Sequence, residues 1–140
     1  MKRIATLLLA VVLLTSCLGI QSFASVPADI VVQPRWDNTA SIDYIFEFEE
    51  TKIGYAEIIV TGHIGVTKIE GDVQIYRQDG SSWTWVAGDT QTDYDSSFAM
   101  SVQVNGTSGK FYKAVFTMTV YKNGVAEEIT ETCYDTCPTP

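Results

Sequence analysis

The chain holds one histidine, three cysteines, seventeen carboxylates and three tryptophans, and each class suggests a chemistry. His63, in Thr61-Gly62-His63-Ile64-Gly65, could act as a base only beside a nucleophile. Between two glycines it reads instead as an exposed turn residue, and no Gly-x-Ser-x-Gly elbow accompanies it. Hydrolysis by paired carboxylates needs two acids held at a set separation. Glu47, Glu49 and Glu50, and the group Glu127, Glu128 and Glu131, read as the solvated faces of strands. Gly88-Asp89-Thr90-Gln91-Thr92-Asp93-Tyr94-Asp95 reads as one turn bearing three carboxylates, a composition that can offer oxygens to calcium. Its spacing is not the EF-hand order, and zinc would lack a second thiol pair, so no metal and no cofactor are expected. The aromatic residues are the remaining chemistry. Trp83 and Trp85 share one face of a short strand, and Tyr55, Tyr76 and Tyr121 fall opposite their strands' apolar faces. Facing outward, Trp83, Trp85 and Tyr76 would form a flat platform for sugar rings or a peptide; facing inward they would be core, which is the expectation for at least one indole.

Compartment is legible at the N-terminus. Met1-Lys2-Arg3 followed by the uncharged apolar run Ile4 to Leu14 is a secretory signal peptide. The run is too short for a comfortable membrane span, and no second apolar stretch follows. Leu14-Thr15-Ser16-Cys17 has the order a lipoprotein signal peptidase uses, whereas Ser22-Phe23-Ala24 suits the ordinary peptidase. No polar tether follows Cys17, which favours cleavage after Ala24 and a secreted protein; the alternative is a lipid anchor at Cys17. Of nine basic residues two precede Ala24, and of seventeen acidic residues none does, so the remainder carries seven against seventeen, a net of −10. Such a surface excludes nucleic acid and anionic membranes as partners. Outside the cytoplasm nearby thiols oxidise, so Cys133 and Cys137 predict a small disulfide pinning the tail, with free thiols or an intermolecular link as alternatives. Such a loop would contribute about 2 kcal/mol. Redox catalysis would need Cys-x-x-Cys, which is absent.

The elements that would position these residues are strands. Apolar residues alternate at Ile42 to Phe48, Ala56 to Val60, Ile69 to Ile75, Phe98 to Val104 and Tyr112 to Val120, with Trp83 to Ala87 and Val125 to Cys133 as further short runs. Asp79-Gly80, Asn105-Gly106 and Asn123-Gly124 separate them, and the last predicts a two-residue hairpin joining the final two strands. No helical period persists. The expectation is an all-β, immunoglobulin-like antiparallel β-sandwich of about seven strands, with a small β-barrel as the alternative. The Cys, Trp, Cys spacing of antibody domains is absent. The expected organisation is a signal peptide at 1–24, an extended segment at 25–40, the sandwich at 41–134 and a tail at 135–140.

Gln33-Pro34-Arg35-Trp36, Ser81-Ser82-Trp83, Phe111-Tyr112-Lys113 and Tyr121-Lys122-Asn123-Gly124 with Glu127 or Glu128 beyond resemble a domain family of small secreted proteins of Gram-positive bacteria, whose function is unknown. The resemblance implies a secreted all-β domain and no activity; the cysteine-bearing tail departs from it. The functional expectation is a non-catalytic secreted or surface-displayed module of the cell envelope that contacts an extracellular protein or a cell-wall or carbohydrate ligand. A small carboxylate-dependent hydrolase and a structural envelope protein are the alternatives.

Overall fold

The structure, a computed structural model, describes residues 36–140. The expected signal peptide, both candidate cleavage sites and Cys17 lie outside the described residues. Seven strands follow in order: β1 (Thr39–Phe48), β2 (Ile53–Gly62), β3 (Val66–Asp79), β4 (Ser82–Asp93), β5 (Ser97–Asn105), β6 (Phe111–Lys122) and β7 (Val125–Thr136). They form two sheets, ordered β1-β2-β5 and β4-β3-β6-β7, with every pair antiparallel. Two separate sheets make this a sandwich rather than a barrel.

The order is that of an immunoglobulin-like Greek key, with the second and fifth strands paired in one sheet and the third and sixth in the other. A second hallmark sits at the start of β6. The Tyr112 ring is buried and its hydroxyl accepts a hydrogen bond from the Thr107 amide, 2.7 Å away, tying the β5–β6 connection across the end of the sandwich. This is the tyrosine corner of such folds.

Each of the seven apolar runs lies in one strand, because alternation buries every second side chain against the facing sheet. Ala56, Ile58 and Val60 from β2 and Phe98 and Met100 from β5 meet Ile69, Val73 and Ile75 from β3 and Ala114, Phe116, Met118 and Val120 from β6. A side chain of this size contributes about 1.5–3 kcal/mol on full burial, so the two inner faces dominate the stability. Asn123 and Gly124 both have positive φ, 52° and 79°, as a two-residue hairpin turn with the favoured twist requires.

Three expectations need correction. Asp89 to Asp93 is not a turn, since β4 continues to Asp93, paired with Ile69 of β3. β4 is an edge strand with no fully buried residue, so no apolar period marks its second half. The sandwich begins upstream of residue 41: Asn38 and Thr39 are buried, and Asn38 Nδ2 donates to the carbonyls of Val120 (2.9 Å) and Val125 (3.1 Å). The tail expected at 135–140 is partly built in, because β7 runs to Thr136 and Cys137 is wholly buried.

The disulfide expectation also fails, since Cys133 and Cys137 are free. Four residues of extended chain separate their Cα atoms by roughly 13 Å, whereas a disulfide spans at most about 7 Å. The backbone pins the tail instead. The Gly109 amide donates to the Cys137 carbonyl and the Cys137 amide to the Lys110 carbonyl, each at 2.9 Å. Burial raises the pKa of both thiols, which keeps them protonated and slow to react. The protein should show no 2 Da mass increase on reduction and should alkylate at Cys137 only after denaturation. Rapid native alkylation there would contradict the buried thiol.

Candidate functional site

The outer face of the sheet β4-β3-β6-β7 carries the aromatic residues, and a bulge aims them there. Ile75 pairs with Ala87 but Tyr76 pairs with Trp85, leaving Val86 as an extra residue in β4. The bulge lets Val86 and Ala87 pack against the core while Trp85 and Trp83 point away from it. The expectation that at least one indole is core is therefore overturned. Trp85 is 56% exposed, and Trp83 is half-buried by neighbours on the outer face.

Those neighbours come from strands remote in sequence. Pairing of β3 with β6 and of β6 with β7 sets Tyr76, Lys113 and Tyr134 in one row. Phe111, two residues before Lys113 on the same strand face, packs on Tyr134 in a near-parallel stack, with centroids 5.7 Å apart and planes at 10°. Trp83 leans on both, 6.0 Å from Phe111 and 6.3 Å from Tyr134. The Lys113 ammonium lies 4.7 Å from the Trp83 ring centroid and 5.1 Å from that of Tyr76, within cation–π range. The Trp85 indole N–H donates to Gln74 Oε1 at 2.6 Å, which fixes the ring's orientation. The predicted trio of Trp83, Trp85 and Tyr76 thus stands together, joined by Phe111 and Tyr134, which the sequence reading did not include. Their outward parity in β6 and β7 was the available signal.

Charge divides this face. The aromatic half has Lys113 and no outward carboxylate, whereas Glu70, Asp72 and Glu128 lie on the other half. There Tyr121 belongs to a separate trio: its hydroxyl donates to Glu70 at 2.8 Å, and Lys68 bridges to Glu70 and lies 3.7 Å from the Tyr121 centroid. Hydrogen bonds from Lys68 and Tyr121 hold the Glu70 carboxyl below the usual carboxylate range. Tyr55 is on β2, in the other sheet, so it cannot contribute to the platform.

The remaining chemistry-bearing residues are dispersed or occupied. His63 is exposed in the turn between β2 and β3, as expected. Asp89 and Asp93 are four residues apart along β4, Asp95 follows in a bend, and no cluster among the described residues could hold a metal ion. Asp89 and Asp95 each accept from the next residue's amide, at 2.8 and 2.6 Å. Glu47, Glu49 and Glu57 line a shallow open depression with Ile45 and Tyr55, not a deep cleft with converging acids.

Glu127 and Glu131 are partly exposed, but they are engaged rather than free on a solvated face. They lie on the inward side of edge strand β7 and reach the opposite sheet. Glu127 accepts from the amides of Asp37 (2.6 Å), Asn38 (3.2 Å) and Thr39 (3.1 Å) and from the Thr39 hydroxyl (2.8 Å). The Tyr44 hydroxyl donates to Glu131 at 3.0 Å, which raises the phenol's pKa, and the Phe48 amide donates to Asp135 at 2.7 Å. These carboxylates close the side of the sandwich where β1 and β7 share no backbone ladder.

No family model matches the chain, and no curated protein does. Among solved structures it is similar to murine CRIg, at 8% identity and a TM-score of 0.42, over 71% of this chain and 98% of that one. It is also similar to part of a glycosyl hydrolase family 2 member from Bacteroides cellulosilyticus, again at 8% identity and a TM-score of 0.42. That likeness covers 72% of this chain and 17% of the hydrolase.

Proposed function

We propose that the protein is a non-catalytic, secreted or surface-displayed module of the cell envelope that binds through the aromatic half of its four-stranded sheet. The observation that supports this reading is the cluster of Trp83, Trp85, Tyr76, Phe111 and Tyr134 around Lys113, on a half-face without outward carboxylates in a strongly acidic chain. Exposed indole and phenol rings offer large, rigid contact area at low entropic cost. Ring faces stack on the C–H faces of sugars, and Lys113 and Gln78 supply donors at the rim. The partner class is a cell-wall or other carbohydrate polymer, or an extracellular protein presenting flat apolar groups. The inward carboxylates of β7 serve the fold, which leaves the platform as the surface equipped for contact.

Trp85→Ala is the cleanest test, because its indole is exposed and its removal should change stability by no more than about 0.5 kcal/mol. Retention on glycan and cell-wall arrays should fall tenfold or more in Trp85→Ala, with the thermal midpoint nearly unchanged, if the ring is a binding hot spot. Trp83→Ala should lose binding and some stability together. Wild-type retention by both variants would remove the platform from the function.

A further inference from the structure

At the β4 edge of the platform a chain of hydrogen bonds runs from an exposed indole to a carboxylate. Gly88 of β4 pairs with Gln74 of β3, so the outward row next to Trp85 has a side chain from β3 and none from β4. Gln74 lies across that gap: a β-carbon at position 88 would stand 2.8 Å from Gln74 Cδ and nearer still to Oε1. The amide is held at both ends. Its Oε1 accepts from the Trp85 indole N–H at 2.6 Å, and its Nε2 donates to Asp72 Oδ1, which the Thr90 hydroxyl also reaches at 3.4 Å. These bonds fix which end of the amide is oxygen. They use one of the two Nε2 hydrogens and one of the two Asp72 oxygens; among the described residues nothing donates to Asp72 Oδ2. Asp72 and Gln74 are half-buried on the face where Trp85 stands exposed.

The geometry points to a saccharide subsite made of Trp85, Gln74 and Asp72, with a sugar that bears no acidic group as its ligand. This inference rests on the platform reading above and names what the platform takes at its β4 edge. One amide and two hydrogen bonds separate the indole N–H from Asp72, a span of at most about 7 Å, which matches a single sugar residue. A pyranose lying on the Trp85 ring presents its C–H face to the indole and its hydroxyls around the rim. One hydroxyl there can donate to Asp72 Oδ2, and a second can accept from the remaining Gln74 N–H. The bond to the carboxylate is charge-assisted, about twice as strong as a neutral one. Because the amide is already pinned, little side-chain freedom is lost on binding. Charge and solvation disfavour the other ligands. Asp72 opposes a carboxylate or phosphate in the ligand, and the platform's cation, Lys113, stands on β6, two strands from Trp85 or roughly 10 Å away. Glu70, the next outward carboxylate along β3, is bonded to Lys68 and Tyr121, and Asp89 lies on the inward side of β4. A flat apolar protein surface would cover Asp72 without supplying a donor, a cost that a hydroxylated ring avoids.

Calorimetric titration with hexasaccharides of glucose, galactose, mannose and N-acetylglucosamine, and with a galacturonate hexamer as the acidic comparator, tests the assignment. At least one of the first four should bind about tenfold or more tightly than the galacturonate hexamer. Asp72→Asn places an N–H₂ where Oδ2 accepts and should weaken that binding about tenfold, as should Gln74→Ala, each with the thermal midpoint nearly unchanged. Glu128→Gln removes a charge from the same outer face and should leave the affinity within about twofold, which separates loss of the bond from loss of charge. Trp85→Ala distinguishes this inference from the reading beneath it. Loss of hexamer binding in Trp85→Ala, with wild-type affinity in Asp72→Asn and Gln74→Ala, would keep the platform and overturn the subsite. Wild-type affinity in all three variants would overturn both. Binding of the galacturonate hexamer alone, or of no hexamer, would overturn the saccharide assignment and leave the platform to an extracellular protein.

Discussion

Gly71→Ala should destabilise the domain by about 2 kcal/mol, and Gly71→Val by about 3 kcal/mol, although glycine in a strand is ordinarily the weaker residue. Gly71 lies on the inner face of β3 between Ile69 and Val73, where alternation calls for a large side chain. Phe98 of the opposite sheet fills that space. A β-carbon at position 71 would stand 2.6 Å from Phe98 Cε1 and still nearer Cζ, so the ring or the sheets must move. For a domain of this size the alanine variant should melt roughly 8–16 °C lower. The cause is separable from a general intolerance of strand substitutions. Phe98→Ala should cost about 3–5 kcal/mol alone by leaving a cavity. Combined with Gly71→Ala it should cost less than the sum by about 1–2 kcal/mol, because the new methyl group enters space the ring has vacated. Denaturant titration of the four proteins measures the coupling. Additive losses would show that the ring does not dictate the glycine.

The second large effect is expected at Glu127. Glu127→Ala should cost about 2–3 kcal/mol, because it strands three amides and a hydroxyl that one carboxylate now satisfies, three of these four donors being on buried residues. Glu127→Gln keeps one acceptor oxygen but turns an N–H₂ toward donors, so an intermediate loss of about 1 kcal/mol is expected. Glu128→Ala is the internal control. Its side chain points outward on the same strand and should matter by no more than about 0.5 kcal/mol. Hydrogen exchange gives a local readout: the Asn38 and Thr39 amides should lose protection in Glu127→Ala ahead of the β3 and β6 ladders. A Glu127→Ala protein indistinguishable from Glu128→Ala would show that the Glu127 bonds do not hold the start of β1.

These two positions also show where sequence reading succeeds and stops. Alternation marked Gly71 as inward-facing, since its place between Ile69 and Val73 depends only on strand period. It could not show that Phe98, twenty-seven residues on, occupies the missing side chain's volume. Glu127 and Glu131 read as solvated because acids usually are. Their engagement requires partners at and just before β1, nearly ninety residues earlier, and such long-range hydrogen bonds leave no trace in composition.

The sequence by itself determined the all-β class, the seven strands, the Asn123-Gly124 hairpin and the expectation of a platform at Trp83, Trp85 and Tyr76. All of these follow from local rules: side-chain period, the positive φ that Asn and Gly tolerate, and the parity of residues on one strand. Tertiary structure decided the rest. It turned the indoles outward through the Val86 bulge and extended β4 along an edge with no apolar pattern. Phe111 and Tyr134 entered the platform by pairing β6 with β7, and β5 became an edge. It also kept Cys133 and Cys137 apart, because a continuous strand sets four residues farther apart than a disulfide can span, whatever their nearness in sequence.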